Sequence, residues 1–210
     1  MKVILVNGSP HKDGCTFTAL EEVAKALNEE GIDTEFFHLG TKPLNGCIAC
    51  GHCRKHQRCV FPDSVNEFLD LAQEADGFIF GSPVHYAAAG GAITSFLDRV
   101  FYTDSGSGKQ AFYLKPAAAV VSARRAGTTA SLDQLNRYFT IKEMPIISSK
   151  YWNMVHGNTP EEVRKDEEGL QIMRTLGRNM AWFLKCKEAG IRAGIPFPSQ
   201  EEGLRTNFIR

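Results

Sequence analysis

Five short, mostly apolar runs are spaced along the chain, and each ends at polar or turn-forming residues. Runs of this kind are typical of strands that are buried in a parallel sheet. They predict strands at residues 3–7, 34–39, 77–81, 117–121 and 145–148.

In the segments between these runs, apolar residues recur every three or four positions, as on one face of a helix. The first predicted helix ends at Gly31, a second begins at a Ser64–Glu67 capping box, and a long final helix runs from Thr159 to about residue 188. Residues 105–108 contain only serine and glycine and predict a mobile surface loop.

This alternation predicts an α/β protein with a doubly wound, five-stranded parallel sheet and helices on both faces. We expect one domain over residues 1–210, with a core at 1–189, a cysteine-containing loop insertion at 40–62 and an extended C-terminal tail at 190–210. Ligands of such folds bind beyond the carboxyl ends of the strands.

The charges balance, with 24 Lys plus Arg against 24 Asp plus Glu, so we expect neither nucleic acid nor a membrane surface as partner. No stretch approaches the ~20 apolar residues of a membrane span, and the first apolar run is too short for a signal sequence. We therefore expect a cytoplasmic protein with reduced thiols. Four of its six cysteines lie between Cys47 and Cys59, which favours a metal or redox role over disulfides.

The loop after the first predicted strand, residues 8–18, is rich in glycine and hydroxyl side chains. Its hydroxyls and the free N–H groups at the start of the next helix could cradle a phosphate. It matches neither the Walker pattern nor G-x-G-x-x-G, which disfavours a nucleoside triphosphate or a Rossmann-type dinucleotide. The alternative is a helix cap without a ligand.

Three spaced motifs resemble the NADPH-dependent FMN reductase and iron–sulfur flavoprotein superfamily over about residues 1–190. They are Gly8-Ser9-Pro10-His11-Lys12-Asp13-Gly14-Cys15-Thr16, Gly81-Ser82-Pro83-Val84-His85-Tyr86 and Phe96-Leu97-Asp98-Arg99. The resemblance implies a flavodoxin-like sheet of order 2-1-3-4-5 and bound FMN. His11 departs from the family's usual arginine and Cys15 from its usual asparagine.

The resemblance also implies which residues contact FMN. The phosphate would be held by Ser9, His11, Thr16, Phe17 and Thr18, with Cys15 a further cofactor-binding residue of this loop. The ring would lie against Pro83, Val84, His85, Tyr86 and Ala87 and against Ser122, Arg124, Arg125 and Gly127. The two arginines could instead meet an NADPH phosphate or form a solvated turn. Cys15 has two interpretations: a thiol of lowered pKa at a helix start, or a packed spectator.

His85, Tyr86 and His156 are the candidate catalytic residues. Either ring of the 85–86 pair could face the flavin or simply pack, and His156 could approach the flavin, a subunit interface or a structural partner. Trp152 and Trp182 are predicted to be core or dimer contacts, so we expect a homodimer or homotetramer.

The spacing Cys47-x2-Cys50-x2-Cys53-x5-Cys59 favours an iron–sulfur cluster over zinc, and it resembles the spacing that holds a [4Fe-4S] cluster in iron–sulfur flavoproteins. Zinc and bare or redox-active thiols remain alternatives. A second feature of this loop is its charge, since Arg54, Lys55, His56 and Arg58 offer a docking face to an acidic, ferredoxin-like carrier.

These features predict an FMN-dependent oxidoreductase or electron-transfer flavoprotein, reduced by NAD(P)H and passing electrons between FMN and a cluster. One alternative is a cluster-free reductase of a small molecule such as a quinone, nitro or azo compound. A non-enzymatic, flavodoxin-like electron carrier and a zinc-bearing regulatory protein are alternatives from other classes.

Overall fold

In this computed structural model, which describes residues 1–201, 203–204 and 206–208, a sheet forms the middle layer. Its strands are β1 (Lys2–Asn7), β2 (Asp33–His38), β3 (Gly77–His85), β4 (Ala88–Ala89), β5 (Ala117–Ala123) and β6 (Met154–His156). Five of them run parallel in the order β2-β1-β3-β5-β6, and β4 folds back antiparallel on the end of β3.

Seven helices among the described residues cover the sheet: α1 (Cys15–Glu29), α2 (His52–His56), α3 (Ser64–Glu74), α4 (Gly91–Ser107), α5 (Thr128–Ile141), α6 (Pro160–Val163) and α7 (Glu167–Arg192). Alternate residues of a strand point to opposite faces. Val3 and Leu5 therefore join the core beneath α1 and α7, whereas Ile4 and Val6 join the core beneath α3, α4 and α5.

The α/β class and the flavodoxin-like parallel sheet are confirmed, but the five-strand prediction is confirmed only in part. Residues 145–148 meet β5 through one isolated bridge at Ile146, and the last parallel strand is the later β6. The hairpin strand β4 was not predicted. Apolar content alone does not separate a short strand from an apolar connection of equal length.

Several predicted boundaries are also wrong. Asp63, not Ser64, caps α3, and its carboxylate accepts the Val65 N–H. Asp166 caps α7, so the predicted final helix is divided after the short α6. Residues 105–107 complete α4 instead of forming a loop. The 40–62 segment contains α2, and α7 continues to Arg192, beyond the predicted start of the tail.

Within the described part of the chain, none of the helices combines the length and the apolarity that crossing a bilayer requires.

Candidate functional site

The loop that follows β1 is folded around Asn7, which is 1% exposed. The Asn7 Oδ1 accepts the Ser9 N–H at 3.0 Å, and its Nδ2 donates to the carbonyls of His11 at 3.4 Å and Lys12 at 3.1 Å. The Ser9 hydroxyl accepts the His11 N–H at 3.2 Å. Sequence reasoning missed Asn7, although an amide that ends an apolar strand was a usable signal.

This loop leads directly into α1, and no side chain caps the start of that helix. Gly14 is the N-cap and makes no side-chain cap hydrogen bond, so the N–H groups of the first turn face the loop with the positive end of the helix. His11 and Lys12 are exposed beside them. Residues 10–15 and 158–160 line one cleft, whose backbone donors and basic side chains can bind an anion.

The hydroxyls predicted to hold a phosphate have partners inside the protein. Thr16 and Ser122 share a buried hydrogen bond of 2.8 Å between their hydroxyls, which joins α1 to β5. Thr18 donates to the Gly14 carbonyl at 3.2 Å, and the Phe17 ring packs on a phenylalanine of β2 at 5.1 Å. The groups left to face an anion are therefore mainly backbone N–H groups and the basic side chains of the loop.

Cys15 lies half-buried at the first position of α1, and its thiol is 3.7 Å from the Gly157 carbonyl. Burial raises the pKa of the Cys15 thiol, and the carboxylates of Glu162 and Glu161 act in the same direction. The structure thus favours a packed thiol over one activated by the helix start.

The hairpin between β3 and β4 is built from residues in an uncommon conformation. Tyr86 and Ala87 have φ values of +49° and +59°, in the left-handed region that non-glycine residues seldom occupy. Gly127, at φ +98°, approaches this hairpin so closely that a Cβ there would lie 2.5 Å from the Ala87 Cα and 2.9 Å from a Val84 methyl. The two loops predicted to hold the flavin ring are therefore in direct contact.

Of the candidate catalytic residues, His85 and Tyr86 are exposed on this hairpin. His85 lines a second cleft together with Pro10, Lys42 and Pro83. This cleft joins the hairpin to the loop after β1, as a bound nucleotide would require.

The remaining predicted residues lie at the carboxyl ends of β5 and β6. Arg124 and Arg125 are exposed, and neither forms an ion pair with any residue the structure describes. His156 is exposed too; its backbone N–H donates to Asp166 at 2.7 Å, and its ring Nδ1 is 3.9 Å from the same carboxylate. Asp166, a second functional candidate that sequence reasoning missed, therefore positions His156.

The four clustered cysteines line one cavity, here called the cysteine cavity, with Cys53 buried, Cys59 half-buried, and Cys47 and Cys50 exposed. Burial raises the pKa of the Cys53 thiol, and the three neighbouring thiols act in the same direction. The structure thus places all four cysteines around one cavity. Among the residues it describes, no group of three or more His, Cys, Asp or Glu side chains is already placed to hold a metal ion.

One face of α4 forms the inner wall of the cysteine cavity, with Arg99, Tyr102 and Thr103 lining it. Gly106, one turn further along, passes so close that a Cβ would lie 2.7 Å from the Cys53 Sγ. Arg99 is 1% exposed and donates to the Cys59 Sγ and to Asp63. Burial acts to lower its pKa, but the hydrogen bonds to Asp63 and Cys59 outweigh burial and raise it.

Comparison with known proteins gives this geometry a context. The model of the NADPH-dependent FMN reductase family matches residues 1–159. An iron–sulfur flavoprotein of Methanocaldococcus jannaschii is 34% identical over 194 residues, which cover 88% of this chain and 98% of that protein. An iron–sulfur flavoprotein of Archaeoglobus fulgidus is 26% identical over 200 residues, covering 89% of this chain and 98% of that one.

Solved structures agree on the fold. A flavodoxin from the domain Archaea superimposes with a TM-score of 0.60 at 16% identity, covering 88% of this chain and 99% of that one. FerB, an NAD(P)H:(acceptor) oxidoreductase of Paracoccus denitrificans, superimposes with a TM-score of 0.63 at 16% identity, covering 88% and 97%.

Proposed function

Because this chain belongs to the NADPH-dependent FMN reductase family, and is a flavin-dependent oxidoreductase, we propose that it passes electrons between FMN and a [4Fe-4S] cluster held by Cys47, Cys50, Cys53 and Cys59. The observation that carries the proposal is the convergence of these four thiols on one cavity. Four soft thiolate donors supplied by one short segment are the ligand set that such a cluster uses.

The helix α4 connects the two proposed redox sites. It begins at Gly91, directly after the β3–β4 hairpin, and its last turns form the wall of the cysteine cavity. A single rigid element thus sets the spacing between the flavin loops and the cysteines, as electron transfer between two fixed groups requires.

FMN would supply exchange of electrons in pairs or singly, and the protein would bind and orient it. We assign the phosphate to the first-turn N–H groups of α1 with His11 and Lys12, and the ring to residues 83–87 and 122–127. The exposed Arg124 and Arg125 are suited to the phosphate of NADPH, because guanidinium groups bind phosphate oxygens in pairs.

His85 and Tyr86 would border the outer face of the ring, where hydride donor and acceptor arrive. His156 is held through its backbone by Asp166 and ends β6, two residues before Asn158 of the anion cleft. These assignments rest on the position of each residue at the carboxyl edge of the sheet.

The partners follow from two surfaces. Arg54, Lys55 and His56 are exposed on α2 beside Cys53, and this basic surface fits an acidic, ferredoxin-like carrier. Trp152 and Trp182 are 54% and 68% exposed, which supports a homo-oligomer whose interface covers them.

A cluster-free reductase is the second candidate, favoured by the exposure of Cys47 and Cys50. In that case the electrons would pass directly from FMN to a small-molecule acceptor, and the cysteines would act as thiols.

The test is an ultraviolet–visible spectrum with an iron assay on protein purified without oxygen. The proposal predicts flavin bands, a broad brown shoulder and about four irons per chain. Cys50→Ala should lose the iron and retain the flavin, whereas Cys186→Ala, which alters an exposed cysteine on α7, should retain both. Flavin without iron would establish the second candidate, and protein with neither would refute FMN binding.

A further inference from the structure

Arg99 carries a full charge into the inner wall of the cysteine cavity. Its neighbours on α4, Phe96, Leu97 and Val100, are fully buried apolar residues, and Arg99 itself is 1% exposed. A buried charge is tolerated only where other groups satisfy it. The partners of this guanidinium therefore show what the charge does.

All five N–H groups of the guanidinium have acceptors. Two donate to the carboxylate oxygens of Asp63 at 2.7 and 2.8 Å, and one reaches the Asn45 carbonyl at 3.5 Å. The remaining two, on Nε and Nη2, converge on the Cys59 Sγ at 3.3 and 3.1 Å. The guanidinium carbon lies 4.8 Å from the centre of the Phe61 ring.

Cys59 is also held through its backbone. Its N–H donates to the Asn66 Oδ1 at 2.9 Å, and its carbonyl accepts from the Asn66 Nδ2 at 3.0 Å. Cys53 is held differently: its carbonyl accepts the Gln57 N–H at 2.9 Å, and within the described residues its thiol makes a long contact of 4.0 Å to the Tyr102 carbonyl. Cys59 is therefore held through both its backbone and its sulfur.

We propose that Arg99 is a positioning residue that holds the Cys59 sulfur and raises the reduction potential of the cluster through its two N–H···S hydrogen bonds. This inference rests on the proposed function. Hydrogen bonds to ligand sulfurs withdraw electron density, so they stabilise the more negative, reduced cluster. The Asp63 carboxylate opposes this effect, because it offsets the charge of Arg99.

Because Arg99 and Asp63 act on the cluster in opposite directions, substituting them should shift its midpoint potential in opposite directions. Arg99→Gln removes the charge and should lower the midpoint potential, whereas Asp63→Asn leaves Arg99 uncompensated and should raise it. Asparagine is as good a helix N-cap as aspartate, so α3 keeps its start. The potentials are measured by titration monitored by electron paramagnetic resonance, with iron retention under chelator as a second readout.

Arg58→Gln is the matched control. Arg58 directly precedes Cys59 in the cysteine-containing loop, but it pairs with Asp70 at the exposed surface. Solvent screens that charge, so its removal should shift the potential less. Iron should leave Arg99→Gln faster than either Asp63→Asn or the control.

Either of two results would overturn this inference and leave the proposed cluster standing. One is a shift of the midpoint potential in the same direction in Arg99→Gln and Asp63→Asn. The other is a shift in Arg99→Gln no larger than that in Arg58→Gln. If Arg99→Gln binds flavin but no iron, Asp63→Asn decides: a raised potential supports the role of Arg99, and an unchanged one refutes it. Wild-type protein without iron would refute the proposed cluster itself, and the inference with it.

Discussion

Gly127→Ala tests whether contact between the two loops of the flavin site is needed for binding. Gly127 has φ +98°, and its added Cβ would lie 2.5 Å from the Ala87 Cα and 2.9 Å from a Val84 methyl. The nearest atom belongs to the backbone, so the clash cannot be relieved by a side-chain rotation. The hairpin that carries His85 and Tyr86 must move instead.

The magnitude has two parts. A left-handed conformation costs a residue with a Cβ about 1–2 kcal/mol, and overpacking costs about 1–3 kcal/mol more, so the free energy of unfolding should fall by roughly 2–5 kcal/mol. Gly31→Ala is the control, because Gly31 has φ +76° but, apart from its own chain neighbours, no described residue has an atom within 4 Å of the added Cβ. Gly31→Ala should lose only the ~1–2 kcal/mol that the left-handed conformation costs. If FMN binding requires the hairpin to return to its original position, a strain of up to the second part is met again on binding, and the dissociation constant for FMN becomes weaker by up to about 150-fold.

Urea unfolding of the flavin-free protein, followed by circular dichroism, measures the stability of both variants. Titration of FMN, followed by the quenching of its fluorescence, measures binding. The reasoning is refuted if Gly127→Ala loses no more stability than Gly31→Ala, and the placement of the ring is refuted if Gly127→Ala binds FMN as tightly as the wild type.

Three further variants test neighbouring contacts. Asn7→Ala removes three hydrogen bonds from the loop after β1 and should lower the free energy of unfolding by about 2–4 kcal/mol. In calorimetric titrations it should weaken the binding of FMN more than that of riboflavin, which lacks the phosphate. Equal losses of affinity for the two would contradict a phosphate role for the loop. Ser122→Ala leaves the buried Thr16 hydroxyl unpaired and should cost about 1–3 kcal/mol in urea unfolding; adding Thr16→Val should recover part of this, whereas strictly additive losses would show that the pair is not coupled. Gly106→Ala should lower iron content, because its Cβ would lie 2.7 Å from the Cys53 Sγ and force this thiol to turn away. The thiol is the end of a side chain and can rotate, so the stability of the metal-free chain should change little; full iron content would contradict this.

Much of the fold could be predicted from the sequence, because burial imposes a local pattern on each element. A strand buried on both faces needs a continuous apolar run, and a helix needs one apolar stripe. These patterns predicted β1, β3, β5 and the main helices, and their alternation predicted the α/β class. The resemblance of three short motifs predicted the flavin family, since each motif is contiguous in the chain.

Only the tertiary structure decided which distant groups meet. The sequence does not show that Thr16 pairs with Ser122, or that β6 and not residues 145–148 completes the sheet. Both pairings join segments that are far apart in sequence, so they depend on the path of the whole chain in the folded state. The same limit applied to Arg99. The sequence shows that Arg99 lies next to the apolar stripe of a helix. A charge can be buried there only because Asp63 and Cys59, far away in sequence, meet its guanidinium in the folded state.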